Sequence, residues 1–130
     1  MTEPHRWLEF AREDRILAEL ALEKGITNQV CFHAQQGVEK ALKGFLRSRQ
    51  RSVPRVHSLA ELLIICQETD PSFNRLEEFC LKLDQYYIPT RYPDALPGSG
   101  EEGLPTDQEA KEAVEFLRET LEWVRTKISE

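Results

Sequence analysis

The chain has 130 residues, 40% of them apolar and 31% charged. That is the length of one ordinary domain, able to bury about two-thirds of its unfolded surface without a disulfide or metal staple. The longest apolar run, Leu62 to Cys66, is far short of the ~20 residues that span a bilayer, and Met1 to Leu8 is charged where a secretory signal would be apolar. Three cysteines, Cys31, Cys66 and Cys80, are an odd set with no Cys-x-x-Cys pair. They are expected as buried thiols in a reducing cytoplasm, with no metal, no cofactor and no membrane association.

Periodicity predicts helices nearly throughout, with no alternating strand and no hairpin signal. The first helix runs from about Pro4, a first-turn proline after Thr2, to Lys24, with Gly25 as its stop. The second starts after Thr27 or Asn28, reaches about Gln50 and ends before Pro54. Ser58 and Glu61 form a capping box that opens the third, which runs to about Glu68. Asp70-Pro71 starts a fourth, with Phe73, Leu76, Phe79, Cys80, Leu83 and Tyr87 on one face. Thr106 and Glu109 open the fifth, which reaches about Ile128 on a core stripe of Ala110, Leu117, Leu121, Val124 and Ile128. Phe116 and Trp123 fall beyond that stripe, so they pack either within the chain or in a dimer seam.

Residues 88–105 hold four of the seven prolines and three of the six glycines, a long loop of the kind that carries function. Its first half, Ile88 to Asp94, is stiffened by two prolines around Arg91 and Tyr92, and is expected to be ordered. Its second half, from Gly98 to Gly103, is expected as a mobile tip.

Net charge is −6, yet residues 40–57 contain six cations and no acid, which leaves −12 for the remainder. On the second helix, Val30, Ala34, Val38, Ala41 and Phe45 share an arc of about 80°. His33, Gln36, Lys40, Lys43 and Arg47 share another on nearly the opposite side, and that stripe runs on into Arg49, Arg51, Arg55 and His57. It is either a solvated face or a surface for phosphates or an acidic partner. No interleaved aromatics mark a single-strand stacking groove.

Asp14 projects from the apolar arc of the first helix formed by Trp7, Ala11, Ala18, Ala21 and Leu22. A carboxylate there must be paired, since burying it alone costs several kcal/mol. Lys40, Lys43 and Arg91 are candidate partners, in a register-fixing ion pair or a ligand pocket. Arg51 and His57 are spaced as a pair that could stabilise a pentavalent phosphate and move its proton, and His57 could equally cap the turn before the third helix. His5 and His33 lack any acid or cysteine arrangement that suggests a metal.

Trp7-Leu8-x-x-Ala11-x-x-Asp14, the run Cys31 to Leu46, His57-Ser58-Leu59 and Thr90-Arg91-Tyr92-Pro93-Asp94 resemble the HEPN family, the higher eukaryote and prokaryote nucleotide-binding domain. The resemblance covers most of the chain. It implies one HEPN-like domain over residues 1–130, an all-α up-and-down bundle of about five helices, with the Pro/Gly-rich loop at 88–105. It further implies a cytoplasmic, prokaryotic homodimer, encoded beside a minimal nucleotidyltransferase in a toxin–antitoxin-like pair and active in nucleotide or RNA biology. Many relatives are toxins with metal-independent ribonuclease activity, whose motif places Arg four to six positions before His, late in the bundle. The fourth and fifth helices here contain no histidine. The residues therefore look like the non-toxin branch, for which nucleotide or polyanion binding is the proposed role. The matching positions give Lys40, Lys43, His57, Arg91 and Tyr92 as ligand-binding and Asp14, Gln36 and Asp94 as a structural polar cluster. The alternatives are a metal-independent endoribonuclease using Arg51 or Arg91 with His57, and a pure protein-interaction module.

Overall fold

A computed structural model describes residues 2–86 and 104–129. They form α1 (Glu3–Glu23), α2 (Thr27–Ser48), α3 (Leu59–Thr69), a 3-10 turn (Pro71–Leu76), α4 (Glu77–Asp84) and α5 (Asp107–Ser129), with no strand among the described residues. This is the five-helix, all-α architecture that the periodicity predicts. Most of the Pro/Gly-rich loop, including Arg91, Tyr92 and Asp94, lies outside the described residues.

The helix ends follow from local chemistry. Gly25 adopts φ 71°, the left-handed backbone that glycine enters without strain. Its N–H bonds to Leu22 O, and the Ile26 N–H reaches back to Ala21 O, so the last carbonyls of α1 are satisfied. The same double bond closes α2, from Gln50 to Arg47 O and from Arg51 to Leu46 O. There Gln50 takes the left-handed position, φ 61°, and α2 ends at Ser48, two residues before the expected end. The Thr106–Glu109 capping box opens α5 reciprocally: the Glu109 N–H bonds Thr106 Oγ1 at 3.1 Å and the Thr106 N–H bonds Glu109 Oε1 at 2.9 Å. At α3, Ser58 Oγ accepts from the Glu61 N–H, and Asp84 at the end of α4 takes the Leu59 and Ala60 N–H groups at 2.7 and 3.0 Å.

Close contacts fix the directions. A Cβ on Gly44 would lie 2.9 Å from Trp7 Cβ, and one on Gly37 would lie 3.3 Å from Asp14 Cβ. As the α2 number falls the α1 number rises, so α1 and α2 are antiparallel and approach closely through two glycines seven residues apart. Tyr86 pairs with Glu109 and Lys82 with Glu112, which makes α4 and α5 antiparallel too. Helix α2 packs against α1, α3, α4 and α5. It is the central element, with Val30, Ala34, Val38, Ala41, Leu42, Phe45 and Leu46 all fully buried. Phe45 meets Phe73 at 4.2 Å, and Phe73 meets Trp123 at 4.5 Å, which ties α2 through the 3-10 turn to α5.

The fourth helix departs from expectation in two ways. Asp70 accepts from the Ser72 N–H at 3.0 Å and Pro71 fixes φ at the start. The first turns run as a tighter 3-10 segment, common at helix N-termini, before α4 begins at Glu77. Helix α4 also stops at Asp84, and the Tyr86 N–H bonds Leu83 O. That three-residue turn swings Tyr86 into the core, while Tyr87, which periodicity placed on the buried face, lies outside the described residues. Phe79, expected in the core, lies at the rim of its face and is 41% exposed. Phe116 is buried beneath it, and Trp123 is half-buried between Phe73 and the cations of Arg75 and Lys127.

Candidate functional site

The polar residues of the bundle gather along one seam of α2, and Gly37 shapes it. Because Gly37 has no side chain, Asp14 of α1 fits into the recess between its neighbours, four positions back at His33 and three ahead at Lys40. The His33 Nδ1–H donates to Asp14 Oδ1 at 2.9 Å, and Lys40 Nζ donates to Asp14 Oδ2 at 2.6 Å. The Asp14 side chain is only 6% exposed, so both oxygens carry a charged or polar donor, as burial demands. The predicted partner Lys40 is thus found, whereas Lys43 bonds elsewhere and Arg91 lies outside the described residues. His33 is the partner that the sequence reading missed. Its spacing of seven from Lys40, astride a glycine, is the signal that could have found it.

One turn further along α2 the arrangement repeats. Glu39 is 7% exposed at its side chain. Its Oε2 accepts from Lys43 Nζ at 3.2 Å and its Oε1 from His57 Nδ1 at 3.2 Å. Gln35, fully buried, donates to the His57 carbonyl at 2.8 Å and accepts from Gln36, which holds the chain before α3 against α2. Each cluster is therefore a buried carboxylate gripping one lysine and one histidine. With Nδ1 on the carboxylate, the His33 imidazole presents Nε2 on the far side of its ring.

The continuous basic face expected on α2 is corrected by these contacts. Lys40 and Lys43 are neutralised by Asp14 and Glu39, Arg47 by Glu3 at 3.1 Å, and Arg51 by Glu68 at 3.3 Å. Three of those four acids come from other helices. Arg49 lies over the Phe45 ring at 4.9 Å, and Arg55 is exposed. Nor is Lys43 open to a ligand, since it is buried. Lys40, His33, Gln36 and His57 keep partial or full access to solvent.

Arg51 and His57 are not brought together. Arg51 bonds Thr69 and Glu68 at the C-terminal end of α3, while His57 precedes its N-terminal end. An 11-residue helix separates those ends by about 16 Å. The amides at that N-terminus are already taken by Asp84.

The three cysteines are buried, and burial pushes each thiol up to about 12, far from the reactive thiolate range. Among the described residues no group of three His, Cys, Asp or Glu side chains could hold a metal ion. No helix there is long and apolar enough to cross a membrane.

The chain is 38% identical to TT1696 from Thermus thermophilus, whose crystal structure superposes with a TM-score of 0.85 over 98% of this chain and 99% of that one. It is 30% identical to ST0689, described as an archaeal HEPN homologue, with a TM-score of 0.78 over 98% of this chain and 99% of that one. No curated protein matches. The family model of the HEPN domain matches residues 4–127, and with that match over nearly the whole length, on the same five-helix architecture, the chain belongs to the HEPN-domain family.

Proposed function

We propose that this chain is a nucleotide- or polyanion-binding helical module that works as a homodimer with a minimal nucleotidyltransferase in a toxin–antitoxin-like pair. The observation that carries the reading is the paired His–carboxylate–Lys clusters on the α2 seam. A lysine held by one carboxylate oxygen has further N–H donors to offer a phosphate, and His33, fixed at Nδ1, offers Nε2. Lys40, His33, Gln36 and His57 are the contact residues of this reading. Lys43 positions Glu39 and through it His57. Buried carboxylates hold these groups in place before a ligand arrives, which lowers the ordering cost of binding.

The test is calorimetric titration of ATP and of a short single-stranded RNA into wild type, Lys40→Ala and His57→Ala, with chelator present. Binding by wild type that falls about tenfold in each variant, the loss expected for one charge-assisted hydrogen bond, supports the reading. Equal binding by all three proteins overturns it. Cleavage of the RNA by wild type but not by His57→Ala would favour the endoribonuclease alternative. For the dimer, α1 offers Phe10, Ile16, Leu17 and Leu20, each about half exposed, on an arc of about 120°. Sedimentation of Leu17→Glu as a monomer, against a wild-type dimer, is the expected result.

A further inference from the structure

A second surface lies away from the α2 seam, between α4 and α5, and is independent of the phosphate reading. The Phe79 and Phe116 rings stack there at 4.7 Å with an interplanar angle of 19°. Phe116 is 3% exposed while Phe79 is 41% exposed, so the pair is an aromatic platform with one open face. An opening of about 330 Å³ sits on it, lined by Phe79, Phe116, Glu112, Glu115 and Glu119. The three glutamates are spaced i, i+3, i+7 on α5 and form one strip beside the rings. Glu112 is engaged by Lys82 at 2.9 Å and by Gln108. Glu115 and Glu119 are exposed and carry no basic partner among the described residues.

We propose that this cleft docks an arginine-bearing basic segment of a partner protein, one arginine lying flat on Phe79 with its guanidinium forked onto Glu115 or Glu119. An aromatic face attracts a cation within about 6 Å of its centroid. A planar guanidinium can stack on that face while donating two parallel hydrogen bonds to a carboxylate, which a lysine ammonium does not match. The strip of carboxylates repels nucleic acid, so the complementary partner is a basic peptide. The apolar platform supplies the anchor and the acids select the sign of the charge.

Fluorescence anisotropy with a short labelled peptide of alternating arginine and leucine tests this, alongside its lysine-for-arginine counterpart. The proteins are wild type, Glu115→Gln/Glu119→Gln, Phe79→Ala and Lys40→Ala. All replacements in the cleft are at exposed positions, and thermal melts confirm folding. Saturable binding by wild type is expected, about tenfold weaker for each cleft variant and several-fold weaker for the lysine peptide. Lys40→Ala should bind like wild type even if the phosphate reading fails. Equal binding of both peptides, or equal binding by Phe79→Ala, reduces the cleft to non-specific charge and overturns the proposal. A wild-type dimer that Phe79→Ala converts to monomer, with no peptide bound, assigns the cleft to a second copy and also overturns it.

Discussion

Asp14 Cβ lies 3.3 Å from the point where a Cβ of Gly37 would stand, and this contact lets one buried carboxylate reach two groups on α2. His33 and Lys40 lie on either side of Gly37, at distances that only a close helix–helix approach permits. The glycine's absent side chain and the aspartate's presence are one feature, written in two helices. A methyl group at 37 would push α1 outward and lengthen both bonds to Asp14.

The two members of the Asp14–Lys40 pair should respond unequally to removal. Lys40 is 30% exposed at its side chain and Asp14 only 6%. In Asp14→Asn the freed ammonium can turn to water, so a loss of about 1–2 kcal/mol is expected. In Lys40→Met the carboxylate stays buried with His33 as its remaining partner, and the loss should be larger, about 2–4 kcal/mol. Urea unfolding of both variants checks the order, and a smaller loss for Lys40→Met would show that Asp14 is not held by this pair.

Two glycine substitutions separate packing from the polar cluster. In Gly44→Ala the new methyl meets Trp7 Cβ at 2.9 Å and the Pro4 carbonyl at 3.2 Å. Neither atom can rotate away, and overpacking of about 1–3 kcal/mol outweighs the roughly 1 kcal/mol helix-propensity gain of alanine. In Gly37→Ala the nearest atom is Leu117 Cδ1 at 2.7 Å, the tip of a side chain that can shift, so the stability loss should be smaller. Only Gly37→Ala should move the His33 ring resonances in NMR. Unchanged His33 signals there would disconnect the recess from the cluster.

Helix number, order and most boundaries were legible because they rest on local chemistry: Gly25 as a left-handed stop, the Thr106–Glu109 box, the heptad of apolar residues on α2. Asp14 was legible as a residue in need of a partner. The identity of its partners was not, because His33 and Lys40 meet it only after α1 folds against α2. The basic stretch misled for the same reason. Its neutralising acids Glu3, Asp14 and Glu68 lie in other helices, and only Glu39–Lys43, at i, i+4, could be read from spacing. Tyr86 escaped the helical periodicity because α4 ends before it, and the three-residue bond from its N–H to Leu83 O turns it into the core.

Asp70 makes the acid limb of stability predictable. It accepts from the Ser72 N–H at 3.0 Å and the Ser72 hydroxyl at 2.7 Å, and pairs with Lys127 of α5 at 3.0 Å. The Ser72 hydroxyl first, then Lys127, hold its carboxyl down at about 2, from an ordinary 3.8. A carboxyl lowered by folding contributes stability that is complete above its unfolded value and drains as pH falls through its folded one. The window here runs from about pH 4 to about pH 2. Asp70→Asn should lower Tm at pH 7 by about 2–5 °C, a modest loss because the amide oxygen can still accept from Ser72 and only the charge pairing with Lys127 is lost. The gap to wild type should narrow progressively below pH 4 and be small by pH 2, where Asp70 is about half protonated, with the last of it lost below that. Thermal melts of the two proteins across that range decide it, and a gap that stays constant down to pH 2 would mean that the Asp70 charge contributes nothing to tying the 3-10 turn to α5.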